Sequence, residues 1–257
     1  MIIQIKNKSI FLSGLFAVLL VMSACKSKKE HIEDGAWMNQ SSSEWPAVVM
    51  TNQIQFEDKT FTDFANGFLL DTGTDTVAIS CKHVFMAFAS MGLVTVDFQG
   101  KLIEWKMNPK NAKGHEIKLG ELINRDPGEM AALPNASNNS DWLAFHIESY
   151  DPGITPLKIG DASVRTGDIV YTVGWTTEDK KGPPRLILSR VFRMVGFQIF
   201  LEPITKIDNP AGLSGSPVLN KDGHLVGISS GSEGFMERAC SVYYIMDVLK
   251  KKNLISP

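Results

Sequence analysis

Asn209-Pro-Ala-Gly-Leu-Ser-Gly-Ser-Pro-Val-Leu-Asn220 is the stretch from which the rest of the chain can be read. Gly212 and Gly215 bracket Ser214, and the run then passes through Pro217 into strand-like Val218 and Leu219. Glycine takes backbone angles closed to other residues, so a Gly-x-Ser-Gly turn can hold a hydroxyl proud of the chain. It can also aim the backbone N–H groups of Gly212 and Ser214 into one shared space. A nucleophile beside two donors for an oxyanion is what acyl transfer needs. A turn rich in Gly and Ser is equally an ordinary hairpin feature, so the chemical reading depends on a base and an orienting acid upstream.

Two upstream residues fit those roles. His83 follows the strand-like Thr76-Val-Ala-Ile-Ser80 and leads into apolar Val84-Phe-Met-Ala-Phe-Ala89. A histidine in such company is by default a core or edge residue. Asp141 opens the apolar run Trp142-Leu-Ala-Phe145, and taken alone it reads as a turn-capping carboxylate. The two gain weight together, because a carboxylate drawn toward a core requires a partner. If Ser214, His83 and Asp141 converge, Ser214 Oγ attacks while His83 takes its proton. Asp141 then holds the imidazole in the needed tautomer. Spacing does not establish convergence, since unrelated folds reach this geometry in different chain orders.

The surrounding pattern is one of many short strands. Ala47-Val-Val-Met50 with Ile54-Gln-Phe56, Asn66 to Leu70, Thr76 to Ser80, Val94 to Phe98 and Leu102 to Lys106 alternate with Gly, Asp and Asn turns. After a polar stretch around a strand near Ile117 to Leu122, strand signals return at Asp141 to Phe145, Ile169 to Val173 and Arg185 to Ser189. Three more follow at Phe197 to Phe200, Pro217 to Leu219 and Leu225 to Ser229. Only the tail from Val242 to Lys252 reads as a helix, with Ile245, Val248 and Leu249 on one face and lysines at its end. This is an all-β pattern, a sandwich or barrel, with no room for the crossover helices of a parallel sheet.

The N-terminus reads as a targeting segment. Lys6 and Lys8 precede an apolar run from Ile10 to Met22, shorter than the ~20 residues of a membrane span. Small Ser23 and Ala24 then precede Cys25, which resembles the lipobox of bacterial lipoproteins with Met22 where Leu is usual. That resemblance implies a signal peptide over 1–24, lipidation of Cys25, and a bacterial cell-envelope location on a membrane. Ordinary secretion with an incidental cysteine is the plainer alternative. Residues 25–44 read as a charged, Ser-rich tether, and 45–257 as the folded domain. The net charge of −2 and the lack of a long basic run beyond the leader and its flank leave nucleic acid unsupported as a partner. Cys81 and Cys240 sit in apolar surroundings and are expected as buried free thiols.

Five blocks in order resemble the trypsin-like (chymotrypsin-fold) serine peptidases, in the manner of the bacterial glutamyl-endopeptidase and high-temperature-requirement branches. Asn66-Gly-Phe-Leu-Leu70 followed by Ala78-Ile-Ser-Cys-Lys-His-Val84 resembles the part presenting the family's histidine, and Ser140-Asp-Trp-Leu-Ala-Phe145 the part carrying its aspartate. Pro156 to Gly174 resembles the entry to a second barrel, Gly212-Leu-Ser-Gly-Ser-Pro-Val218 the nucleophile loop, and Leu225 to Ser229 the strand lining the substrate cleft. The resemblance implies two perpendicular six-stranded antiparallel barrels with a short C-terminal helix. It also implies a serine endopeptidase with His83, Asp141 and Ser214 as triad, and Gly212 and Ser214 N–H as oxyanion hole. The partner is then a protein or peptide substrate. No zinc-ligand spacing, phosphate loop or dinucleotide fingerprint competes, so no metal or cofactor is expected.

Two departures stand out: Leu213 where the family has Asp or Asn, and Lys82 before the histidine. Leu213 supports the rival reading, a catalytically inactive module of the same fold that holds an extended peptide. An esterase is a further rival with the same machinery. For the substrate pocket the resemblance points to Asp208, Ser229, Ser230 and Gly231. Asp208 lies six residues before Ser214, an offset that in the trypsin branch favours basic side chains. The short Ile207-Asp-Asn-Pro210 loop and the open Ser229-Ser-Gly231 strand instead suggest small or medium uncharged residues first and basic ones second.

Overall fold

The computed structural model describes residues 35–46, 48–92, 100–110, 115–126, 140–179 and 182–255. The leader, Cys25, the first part of the expected tether, the expected strand Val94 to Phe98, and His31 all lie outside them.

Six strands form the first ring: β1 (Met50–Phe56), β2 (Thr60–Asp71), β3 (Thr76–Ser80), β4 (Leu102–Asn108), β5 (Ile117–Leu122) and β6 (Leu143–Ser149). They bond in the order β1-β4-β5-β6-β3-β2, and β2 returns to β1 to close the ring. A two-residue strand, β7 (Leu157–Lys158), lies parallel on β2. The second barrel takes β8 (Ile169–Gly174), β9 (Arg185–Val195), β10 (Gln198–Pro203), β11 (Pro217–Leu219), β12 (Leu225–Glu233) and β13 (Met236–Ser241), closed in the order β10-β13-β12-β11-β8-β9. The all-β reading with two six-stranded antiparallel barrels and a short C-terminal helix therefore holds.

Strand alternation divides the interior. Along β8, Val170 joins a small core with Val191, Ile199, Leu201, Val218, Val226 and Ala239 inside the second barrel. Tyr171 and Val173 point the other way, into the larger apolar cluster that fills the first barrel and runs on beneath the C-terminal helix. That first core is aromatic: Phe88 packs edge-on against Phe56, Phe61 and Trp105, and Trp105 against Phe145 at 4.8 Å.

Two helices complete the frame. A one-turn helix, α1 (Phe85–Ala89), was not legible as one; its Phe85 and Phe88, three apart, both face the core while Met86 points out. Helix α2 (Val242–Lys251) matches the expected tail. Ser241 caps it by accepting from Tyr243 N, Ile245, Val248 and Leu249 are buried, and Lys250 and Lys251 sit at its C-terminal end.

The folded part also begins earlier than Trp45. Trp37, inside the expected tether, is buried, packs edge-on against Tyr171 at 5.7 Å, and donates from Nε1 to Lys221 O at 3.1 Å. The short Ala36-Trp-Met38 run gave no periodic signal, yet the Trp37 ring finds a hydrophobic seat on the second barrel.

Candidate active site

The loop carrying His83 is placed by what flanks it. Strand β3 runs beside β6, with Ser80 opposite Leu143, so the residues just past Ser80 and just before Leu143 meet at one end of the sheet. A 3-10 turn over Lys82–Val84 leads into α1, whose two buried phenylalanines pin the segment. Lys82 is buried as well, its Nζ 5.6 Å from the centre of the Tyr244 ring.

Asp141 and His83 are joined twice. Asp141, with no exposed surface, accepts the His83 backbone N–H on Oδ1 at 2.8 Å and pairs with His83 Nδ1 through Oδ2 at 2.7 Å. On the far side of the ring, His83 Nε2 lies 2.8 Å from Ser214 Oγ. The carboxylate fixes the proton on Nδ1, which leaves Nε2 to accept from the serine hydroxyl. Burial works against the charged form of His83. The Cys81 sulfur, 3.9 Å from Nε2, and the Asp141 carboxylate work for it and prevail, holding the His83 pKa above its ordinary value. The segment after Asp141 is braced by buried Asn124, which donates to Trp142 O at 2.7 Å and accepts from Ala144 N at 3.1 Å.

Ser214 sits in a loop whose shape two glycines permit. Gly212 and Gly215 have φ of 99° and 81°, where side chains are strained, and a Cβ on Gly215 would run into Asn66 O. The loop is tied by Leu213 N to Pro210 O, Gly215 N to Ser229 O and Ser216 N to Leu213 O, each at 3.0–3.1 Å. Among the described residues the N–H groups of Gly212 and Ser214 meet no protein acceptor, which leaves both available beside the hydroxyl. Leu213 is buried.

A family model described as a trypsin-like peptidase domain matches residues 65–228, well over half of the chain and inclusive of His83, Asp141 and Ser214. The chain belongs to the trypsin-like peptidases. Among solved structures, a Glu endopeptidase in complex with MPD is similar in fold, with a TM-score of 0.58 and 13% identity over 86% of this chain and 97% of that one. An inactive serine-to-alanine mutant of Rv3671c from M. tuberculosis matches with a TM-score of 0.50 and 12% identity, covering 81% of this chain and 88% of that one. At such identities the likeness is one of fold alone. The sequence has no significant match among curated proteins.

This trypsin-like peptidase holds its nucleophile loop with a residue that sequence reasoning passed over. Asn66, fully buried in β2, accepts Trp175 N on Oδ1 at 3.3 Å and donates from Nδ2 to Trp175 O at 3.0 Å and Gly212 O at 2.7 Å. Its backbone N–H donates to Ser214 O at 2.7 Å. Asn66 follows a bend in β2 where Asp63 and Ala65 take φ of 52° and 54°, unusual for residues with side chains. Buried Asn52 secures that bend, donating to Phe64 O at 3.0 Å and accepting from Trp105 Nε1 at 2.9 Å. With Leu213 unable to form a polar tie, the first barrel supplies one through Asn66.

The pocket residues need correction. A cavity of about 280 Å³ opens beside Ser214, lined by Ser229 and Gly231 as expected, and also by Asn209, Leu213 and Glu237. Asp208 is exposed and does not line it; its loop turns so that Asn209 faces the cavity instead. Ser230 is also absent from the lining, buried on the other face of β12 with Oγ turned toward Ile228 O. Strand alternation puts Ser229 and Gly231 on one face of β12 and Ser230 on the other. The remaining described histidines lie elsewhere: His115 pairs with Asp151, His146 is exposed on β6, and His224 follows the turn after β11. Cys81 and Cys240 are free and buried, as expected, and burial pushes the Cys240 thiol up to about 12. Among the described residues, no group of three or more His, Cys, Asp or Glu could hold a metal ion.

Proposed function

We propose that this chain is a serine endopeptidase working through an acyl-enzyme on Ser214. The observation that carries the proposal is the unbroken run of short contacts from Asp141 through His83 to Ser214 Oγ, within a domain of the trypsin-like family. Ser214 Oγ attacks the scissile carbonyl carbon as His83 Nε2 takes the hydroxyl proton. The negative charge arriving on the carbonyl oxygen is received by the N–H groups of Gly212 and Ser214. Asp141 stabilises the imidazolium, which gives its proton to the departing amine nitrogen as the C–N bond breaks. Water then attacks the Ser214 ester with His83 again as base, releasing the carboxylic acid and restoring the hydroxyl. Asn66 gives the nucleophile loop a polar tie to the first barrel, which removes the ground on which Leu213 favoured an inactive binding module. Hydrolysis of a denatured protein substrate tests the reading: wild type cleaves it and Ser214→Ala does not. Equal cleavage by both would refute it.

The envelope assignment is part of the same proposal and rests on sequence alone. Residues 1–24 are read as a signal peptide, and Cys25 as the lipidated first residue of the mature chain on a bacterial membrane.

A further inference from the structure

The cavity beside Ser214 contains one charged side chain, Glu237, and no cation among the described residues pairs with it. Glu237 stands on β13 opposite Ser232 of β12 and Leu201 of β10, half-buried in the wall of the second barrel. Its Oε2 accepts from the hydroxyl of fully buried Ser189 at 2.9 Å. Among the described residues Oε1 has no hydrogen-bond partner, and no lysine, arginine or histidine pairs with the carboxylate. The neighbouring Arg238 pairs instead with Glu233 at 3.5 Å. A half-buried carboxylate with a single neutral donor is an expensive arrangement, because burial costs the charge its hydration and one hydroxyl returns little of it. Burial accordingly raises the Glu237 pKa, opposed only by Ser189.

The rest of the cavity is neutral: Ser229, Ser232, Thr172 and Asn209 offer hydroxyl and amide groups, and Leu213 an apolar surface. At about 280 Å³ it is a size for one side chain, smaller than most small-molecule sites, which run from ~300 to ~1,000 Å³. Ser214, Ala211 and Leu213 form part of its wall, so the side chain that enters belongs to the residue whose carbonyl Ser214 attacks.

We infer that Glu237 selects substrates with a lysine or arginine at the residue whose carbonyl is attacked, the aliphatic stem lying along Leu213 and the cation meeting the free carboxylate oxygen. The inference rests on the serine-endopeptidase reading and goes beyond it by naming the substrate class. An acidic side chain in the same cavity would place two carboxylates together with no cation between them. A small uncharged one would leave the carboxylate buried and unpaired.

Peptides differing only at that residue (Lys, Arg, Leu, Ala, Gln, Glu) are given to wild type and to Glu237→Gln. Truncating one partner of a buried, hydrogen-bonded charge pair corresponds to at least about 30-fold. The wild-type ratio of kcat/KM for Lys or Arg over Leu is therefore expected to reach roughly that size and to fall by as much in Glu237→Gln. In parallel, 4-aminobenzamidine binding is measured by fluorescence on both proteins, and a fluorophosphonate reports on Ser214. If the catalytic reading alone fails, labelling and hydrolysis are absent while benzamidine binding still depends on Glu237. If this inference alone fails, labelling and hydrolysis are present, and either wild type prefers uncharged or acidic residues or the preference survives Glu237→Gln. The wild-type profile decides against it even if the variant does not fold.

Discussion

Asp141 commits both carboxylate oxygens to one residue, Oδ1 to the His83 backbone and Oδ2 to its ring. Position and tautomer of the base are thus set by a side chain with no solvent contact. Catalysis needs neutral His83, whereas burial disfavours and the Cys81 sulfur and Asp141 favour the imidazolium, the latter pair prevailing. The rising limb of kcat/KM against pH therefore lies on the alkaline side of an ordinary histidine, about 6.5. Asp141→Asn keeps the shape and removes the charge that stabilises imidazolium. Its activity should fall by roughly 10⁴-fold, and the rising limb of what remains should move to lower pH. A limb that stays in place or moves to higher pH would contradict the role given to Asp141. Ser216, two positions from the nucleophile, is buried with its hydroxyl against Gly174, and that hydroxyl has no hydrogen-bond partner among the described residues.

Among the elements, β2 does more than close its barrel, because Asn66 carries its end across to the nucleophile loop. Asn66→Ala would leave the carbonyls of Gly212 and Trp175 short of a donor and free the Gly212 peptide to turn. Leaving a buried polar group unpaired costs ~1–3 kcal/mol, or about 5- to 150-fold if it falls on the transition state alone. The expected result is a lower kcat with KM little changed, and weaker binding of a peptide boronic acid than of a cleaved-product peptide. A change confined to KM would show that Asn66 does not act through the oxyanion loop. Asn66 escaped sequence reading because its partners stand 109 and 146 residues away, and locally it reads only as the first residue of a strand. Glu237 escaped for a related reason: Met236-Glu-Arg-Ala lacks alternation where β13 borders a polar cavity, and Ser189 lies 48 residues off. By contrast β3 and β11 were legible from their own apolar runs, and β5 from apolar residues spaced among polar ones. The triad was legible because Ser214 stands between two glycines, Asp141 opens an apolar run and His83 lies just past a strand-like one. Helix α1 was too short for any period to show, although its two phenylalanines carry the correct spacing.

At the scale of the whole molecule, two closed barrels leave few free strand edges and place the site where their loops meet. Trp37 on Tyr171, and Thr74 Oγ1 donating to Leu254 O at 2.8 Å, secure the two ends of the described chain to the barrels. If Cys25 carries the lipid, that chain works on a tether at a membrane surface. One acyl chain anchors only marginally and several together hold firmly. Cys25→Ser should therefore move the protein from the membrane fraction to the soluble one, and unchanged partitioning would refute the anchor.

The central claim is that Ser214 is a nucleophile activated by His83. Intact-mass and peptide-mapping spectrometry after treatment with a fluorophosphonate reads this without any knowledge of the substrate. The account predicts one adduct per chain, located on Ser214, absent in Ser214→Ala and formed far more slowly in His83→Ala. No adduct on the folded wild type, or an adduct on another residue that persists in Ser214→Ala, would contradict it.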